Sequence, residues 1–193
     1  MLLVASEPNS FGNTRISKSL HEKLGKEYYK TYQSLINNTH FIEQLKRYNL
    51  QFIFFPHKAM QQFIGSFSTK SPNVIIADWH KYDVQTLLIK SALCITDYSS
   101  IAMDFAYMEK PLIYYQFDYE KFRNGHYHEG YFSYENDGFG HICKTEDEIV
   151  SLLDKYIQNG FLMEEEYLNR VHSFFTLHDN KNCERTYEEI KKL

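Results

Sequence analysis

The sequence predicts an α/β fold, a doubly wound parallel sheet, on three observations. Short apolar runs alternate with segments of helical character along the whole chain. The runs are continuous stretches of Val, Ile, Leu and Phe, the pattern of strands covered on both faces. Finally, Ser91 to Tyr115 reads as a complete strand-turn-helix-strand unit.

Taken in order, residues 1–5 (Met-Leu-Leu-Val-Ala) read as the first core strand, too short and without the basic flank of a signal peptide. A chain that begins directly in a strand looks cut from something larger, or like a reduced relative of it. Residues 6–13 are polar loop, 16–24 weakly helical and 28–36 helical. Asn38 or Thr39 caps a helix over 41–48, and residues 50–55 form the second strand, with Pro56-His57 at its carboxyl end. A helix over 58–64 leads to the third strand, 73–77, which Asp78-Trp79-His80 closes, and Asp83 caps a helix over 84–90.

In the central unit, residues 93–96 are a buried strand, Asp97-Tyr98 the turn, and Ser99 or Ser100 the natural N-cap of a helix running to about Met108. Asp104 lies near its first turn. Glu109-Lys110-Pro111 ends the helix before the strand 112–115. Hydroxyls and backbone N–H groups at a strand's carboxyl end sit where open α/β sheets bind ligands, and they suit a phosphate. Two serines that merely cap a helix would look the same.

Residues 116–140 are aromatic, charged and irregular, as a ligand-facing loop is. Residues 141–144 are a short final strand. Thr145-Glu146-Asp147-Glu148 opens a helix to Gln158, with acids at its positive end, and Gly160 breaks it. Helices over 164–174 and 180–192 follow.

With 193 residues the chain is read as a single domain, 1–193, able to bury a real core. A net charge of −4 argues against nucleic acid as a partner and against a polybasic membrane patch. Cys94, Cys143 and Cys183, odd in number and widely spaced, read as reduced thiols. No 18-residue apolar segment occurs. The expected protein is soluble and cytoplasmic, or peripheral on the inner face of the cell membrane.

The stretch Thr-Asp-Tyr-Ser-Ser-Ile-Ala-Met-Asp-Phe-Ala-Tyr-Met-Glu-Lys-Pro, residues 96–111, resembles the signature of the CDP-glycerol glycerophosphotransferase family. These are teichoic-acid and capsule polymerases that move glycerol phosphate from CDP-glycerol to a growing chain. Further matching pieces are Phe54-Phe55-Pro56-His57, Tyr131-Phe132-Ser133-Tyr134, Asp137-Gly138-Phe139-Gly140, Phe174-Phe175, His178-Asp179-Asn180 and Asn182-Cys183-Glu184-Arg185. The resemblance implies a Rossmann-like domain, the C-terminal, nucleotide-binding half of a GT-B glycosyltransferase fold, with the N-terminal acceptor half absent.

It also implies roles. In the family, a histidine at the place of His57 is required for transfer, meets the donor pyrophosphate and helps CMP depart; a near-neutral pKa suits that work. Ser99, Ser100 and Asp104 match positions that hold the CDP-glycerol donor. Asp104 would accept from a ribose or glycerol hydroxyl, since a carboxylate repels phosphate. Pro56 and Asp97 complete the expected donor site, Asp97 by orienting its loop.

No metal and no cofactor are expected. His126-Tyr127-His128-Glu129 offers too few ligands for a closed zinc site and reads as a loop over the donor. His178-Asp179 can be a helix cap or an outer part of the site, and the cap is preferred.

The sequence also departs from the family. Relatives have an N-terminal half whose His-Gly-Thr-Pro segment supplies the proposed base for the acceptor hydroxyl. They carry a Trp-Arg pair after the first strand of the present half, where this chain has Pro8 and Asn9. One half alone would bind donor poorly and turn over slowly. Expected partners are therefore a CDP-glycerol or related CDP-polyol donor, a polymer acceptor, a separate N-terminal-half polypeptide, and a second copy of the chain through exposed aromatics. The other readings are a non-catalytic donor-binding or scaffold module, and half of a nucleotide-sugar glycosyltransferase.

Overall fold

A computed structural model of the protein describes residues 2–6, 18–125 and 130–193. Its centre is a six-stranded, wholly parallel sheet in the order β3-β2-β1-β4-β5-β6. The strands are β1 (Leu2–Ser6), β2 (Phe52–Pro56), β3 (Val74–Ile76), β4 (Leu93–Thr96), β5 (Leu112–Tyr115) and β6 (Gly140–Cys143). The helices are α1 (Lys18–Leu35), α2 (Thr39–Arg47), α3 (Val84–Lys90), α4 (Ile101–Tyr107), α5 (Tyr119–Gly125), α6 (Glu146–Gln158), α7 (Glu165–Phe174) and α8 (Asn182–Ile190). A 3-10 helix, Lys58–Ser66, joins β2 to β3.

The continuous apolar runs are explained by burial on both faces. Successive strand residues point to opposite sides. Phe52, Phe54, Leu93, Ile95, Ile113 and Tyr115 pack with Tyr28, Tyr32 and Leu35 of α1, Phe41 and Leu45 of α2, and Ile149, Leu153 and Tyr156 of α6. Ile53, Cys94, Leu112 and Tyr114 pack with Leu87 and Leu88 of α3, Ala102, Phe105 and Ala106 of α4, and Val171 of α7. Sheet and two helical layers thus make the doubly wound arrangement that the sequence predicts.

Several elements differ from expectation. The two helices predicted before residue 37 are one, α1, which continues through Gly25. The segment after β2 is a 3-10 helix, and the supposed irregular loop after β5 contains α5. The predicted polar loop 6–13 lies, from residue 7 on, outside the described residues, as do Pro8, Asn9 and the His126–Glu129 segment.

The caps follow from local chemistry. Asn38 and Asp83 each accept from the backbone N–H three residues on, at 3.0 and 2.8 Å. Thr145 and Glu148 form a reciprocal capping box at α6. Gly160 takes φ of 71°, the left-handed conformation that ends the segment after α6.

Candidate active site

The strand order reverses between β1 and β4: β2 and β3 lie to one side of β1, and β4, β5 and β6 to the other. Such a switch point opens a crevice at the strands' carboxyl ends. Two predicted segments reach this edge. Pro56-His57 follows β2 and the turn 97–100 follows β4, with β1 paired to both strands between them. Two strand spacings separate them by about 10 Å, roughly the span of a diphosphate and its substituents.

The turn after β4 is built around a buried carboxylate. Asp97 is 2% exposed; one oxygen accepts from the Tyr98 N–H at 2.7 Å and the other from the Tyr32 hydroxyl at 3.4 Å. Tyr32 is itself buried in α1 and stacked on Phe54 of β2, so one phenol links the strands that carry the two halves of the site. The Ser99 and Ser100 carbonyls accept from Ala102 and Met103 N–H at 3.1 and 2.9 Å and start α4. Ser99 is buried and Ser100 exposed.

Ser100 stands at the N-cap position, as predicted, but its side chain makes no capping hydrogen bond. Its φ and ψ of −61° and −17° are already helical, whereas a capping side chain needs extended backbone. The hydroxyl is thereby not spent on capping α4. Asp104 is exposed in the first turn of the same helix.

A second brace holds Tyr98. Its hydroxyl donates to Asp118 at 3.1 Å, its ring lies against Phe122 of α5, and Tyr134 meets it edge-on at 6.0 Å. Burial pushes the Tyr98 phenol far above its ordinary value, with the Asp118 charge adding to this, so it remains a hydrogen-bond donor. Burial also raises the Asp118 carboxyl, while the Tyr98 hydrogen bond pulls it back. Arg123 of α5 lies over the rings of Tyr119 and Tyr134 at 5.4 and 5.9 Å, which puts a guanidinium beside this aromatic cluster.

On the β2 side, His57 is half-buried and its carbonyl accepts from Met60 N–H at 2.7 Å. Pro56 is buried, and its carbonyl accepts from the Gln61 side chain at 2.8 Å. Cys94 is fully buried with its thiol pushed up by desolvation, a core residue and no nucleophile.

Sequence reasoning did not single out Tyr32, Gln61, Tyr98 or Asp118 as functional. Tyr98 stands inside the signature stretch and could have been suspected. The other three carry no local signal, since their partners lie in other elements.

His178-Asp179 is far from the crevice. Asp179 accepts from Lys181 N–H at 2.9 Å and pairs with Arg185, and His178 stacks on Tyr107 at the last residue of α4, the end away from Ser100. The pair braces the segment before α8 but does not cap it, contrary to the preferred reading: Lys181 holds the N-cap position and no side chain makes a capping hydrogen bond there. Among the described residues, no cluster of His, Cys, Asp and Glu could hold a metal ion. No helix among them is long and apolar enough to cross a membrane.

Residues 18–192 match the family described as CDP-Glycerol:Poly(glycerophosphate) glycerophosphotransferase. The minor teichoic acid biosynthesis protein GgaB of Bacillus subtilis (strain 168) is 38% identical over 167 residues, 86% of this chain and 18% of that protein. The teichoic acid poly(ribitol-phosphate) polymerase of Bacillus spizizenii is 29% identical over 56% of this chain and 16% of its own length. The poly(glycerol phosphate) polymerase of B. subtilis is 26% identical over 57% of the chain and 15% of its own length. Among solved structures, the wall teichoic acid polymerase TagF superposes over 98% of this chain and 42% of its own, with a TM-score of 0.56 and 18% identity. The fold is therefore GT-B-like, and the chain spans less than half the length of these relatives.

Proposed function

Because this chain belongs to the CDP-glycerol:poly(glycerophosphate) glycerophosphotransferase family, we propose that it is the donor-binding half of a teichoic-acid or capsule polymerase. The observation that carries the proposal is the convergence of His57 and the Ser99-Ser100 turn on either side of β1 at the sheet's switch point. The diphosphate of CDP-glycerol lies across that edge. Ser99 and Ser100 hydroxyls donate to its oxygens, Asp104 accepts from a donor hydroxyl, and buried Pro56 and Asp97 hold the two segments in place.

In the reaction, an acceptor hydroxyl oxygen attacks the phosphorus that carries glycerol. The bond from that phosphorus to the bridging oxygen breaks, and CMP departs with the bond's electron pair. His57 donates to the oxygen on which charge develops, and the preorganised serines stabilise the same charge. The acceptor's proton goes to a base outside the described residues, in an N-terminal half on the same or another polypeptide. The chain works in the cytoplasm, soluble or peripheral on the membrane's inner face.

Calorimetric titration with CDP-glycerol, CMP, CDP-ribitol and UDP-glucose tests this. Selective CDP-glycerol binding, weakened in His57→Ala and in the double variant Ser99→Ala/Ser100→Ala, is the expected result. A folded sample that binds no cytidine nucleotide at millimolar concentration would be a non-catalytic module instead. The ribitol-phosphate polymerases among the relatives favour CDP-ribitol as the second donor to try.

A further inference from the structure

Gln61 has no role in the reading above, yet it is 6% exposed and both ends of its amide are used. Its Nε2 donates to the Pro56 carbonyl at 2.8 Å and to the Ala77 carbonyl at 3.3 Å, and its Oε1 accepts from the Trp79 N–H at 3.3 Å. These three groups belong to the ends of β2 and β3 and to the loop that follows β3.

The geometry has a plain cause. Pairing between β2 and β3 stops at Phe54 and Ile76, with one last bond from Ala77 N–H to the Phe54 carbonyl at 2.8 Å. Beyond it the two chains part, leaving the Pro56 and Ala77 carbonyls without a ladder partner on that side. Buried carbonyls need a donor. A side-chain amide, with two N–H donors and a carbonyl, fits the gap and substitutes for the missing rung.

His57 is the residue next to this rung. Its backbone is held on one side by Gln61 through the Pro56 carbonyl and on the other by the Met60 N–H on its own carbonyl. With both peptide planes anchored, the direction in which the imidazole leaves the backbone is set. We propose that Gln61 is the positioning residue for His57, aiming the imidazole at the donor diphosphate through the Pro56 carbonyl. This rests on His57 acting on the donor as proposed above. Small displacements of a donating group cost binding and rate steeply, which gives the clamp its functional weight.

His57 itself is the reporter for the test. In proton–carbon NMR spectra of the chain, the His57 imidazole signal is assigned by its loss in His57→Ala. It should move or broaden in Gln61→Met, which keeps the side chain's length and deletes its hydrogen bonds. It should stay in place in Ser91→Ala, which removes another buried hydrogen bond, to the Leu87 carbonyl at 2.7 Å.

CDP-glycerol affinity should fall about tenfold in Gln61→Met, yet fall no further when that change is added to His57→Ala, because the two act as one unit. If Gln61→Met fails to fold, Gln61→Glu carries the comparison. Its affinity relative to the parent chain at the same pH should recover as the carboxyl is protonated and can donate to Pro56.

An imidazole signal unmoved by the Gln61 substitution, or losses that multiply in the double variant, overturns the proposal. Unchanged binding in His57→Ala alone would sink the reading of the site, while the imidazole signal would still decide whether the clamp exists.

Discussion

The Tyr98 hydroxyl donates to Asp118 over 3.1 Å while its ring lies flat on Phe122, centroids 3.6 Å apart and planes 3° apart. The contact ties the turn after β4, which carries Ser99 and Ser100, to the segment after β5. Asp118→Ala removes the acceptor from a half-buried phenol and is expected to cost about 1–2 kcal/mol in urea unfolding. It should also weaken CDP-glycerol binding by loosening the serine turn.

Asp118→Asn separates charge from hydrogen bonding, since its amide oxygen still accepts from Tyr98. Burial holds the Asp118 carboxyl above its ordinary 3.8, so the folded protein takes up the proton more readily than the unfolded chain. Stability then falls as pH rises from 3.8 through the raised value. The asparagine variant lacks this fall. Its melting temperature should gain on the parent's across that window and stay ahead at pH ~7.

Ser100 should divide binding from stability. Its exposed side chain makes no capping bond, so Ser100→Ala should leave the free energy of unfolding within about 0.5 kcal/mol of the parent's. The same variant should bind CDP-glycerol more weakly. A matched loss of stability would mean that the hydroxyl serves the helix and not the donor.

At α6 the sign of the pH effect is reversed. Backbone N–H groups of Lys144 and Thr145 hold the Glu148 carboxyl below its ordinary 4.5. Its contribution is present above 4.5 and is lost as pH falls through the lowered value. Glu148→Gln, which can still accept those bonds, should show a shallower acid limb in thermal melts. Thr145→Ala should cost about 1 kcal/mol at neutral pH.

Gly140 opens β6 where no side chain fits. A Cβ there would lie 2.0 Å from the Leu112 carbonyl oxygen, a backbone atom that cannot move without breaking the β5–β6 pairing. Gly140→Ala is expected to destabilise by about 1–3 kcal/mol or more, with hydrogen exchange accelerating first at β5 and β6.

Much of this fold was legible beforehand, for identifiable reasons. Continuous runs such as Leu93–Thr96 and Leu112–Tyr115 mark strands because both faces of the sheet are covered, leaving no polar position to blur the signal. Asp83 and Thr145 mark helix starts because a cap is a contact within a few residues. The 3-10 helix after β2 was missed because its composition matches an α-helix, while its geometry answers to the sheet edge it leaves. α5 was missed because its Tyr, Glu, Lys, Phe and Arg carry no clear apolar face; Phe122 is placed by Tyr98, 24 residues earlier.

The sequence by itself determined the strands, the helix starts at Asp83 and Thr145 and the family, all of which depend on local periodicity or on a contiguous stretch of residues. Only the tertiary structure decided which polar groups meet: Tyr32 with Asp97, Tyr98 with Asp118, Gln61 with Pro56, Ala77 and Trp79. It also showed that Ser100, apparently a cap, leaves its hydroxyl uncommitted to the helix. The physical reason is range. Hydrophobic periodicity repeats along the chain, whereas a side-chain hydrogen bond exists only where folding brings a donor and an acceptor within about 3 Å, and no local pattern records that distance.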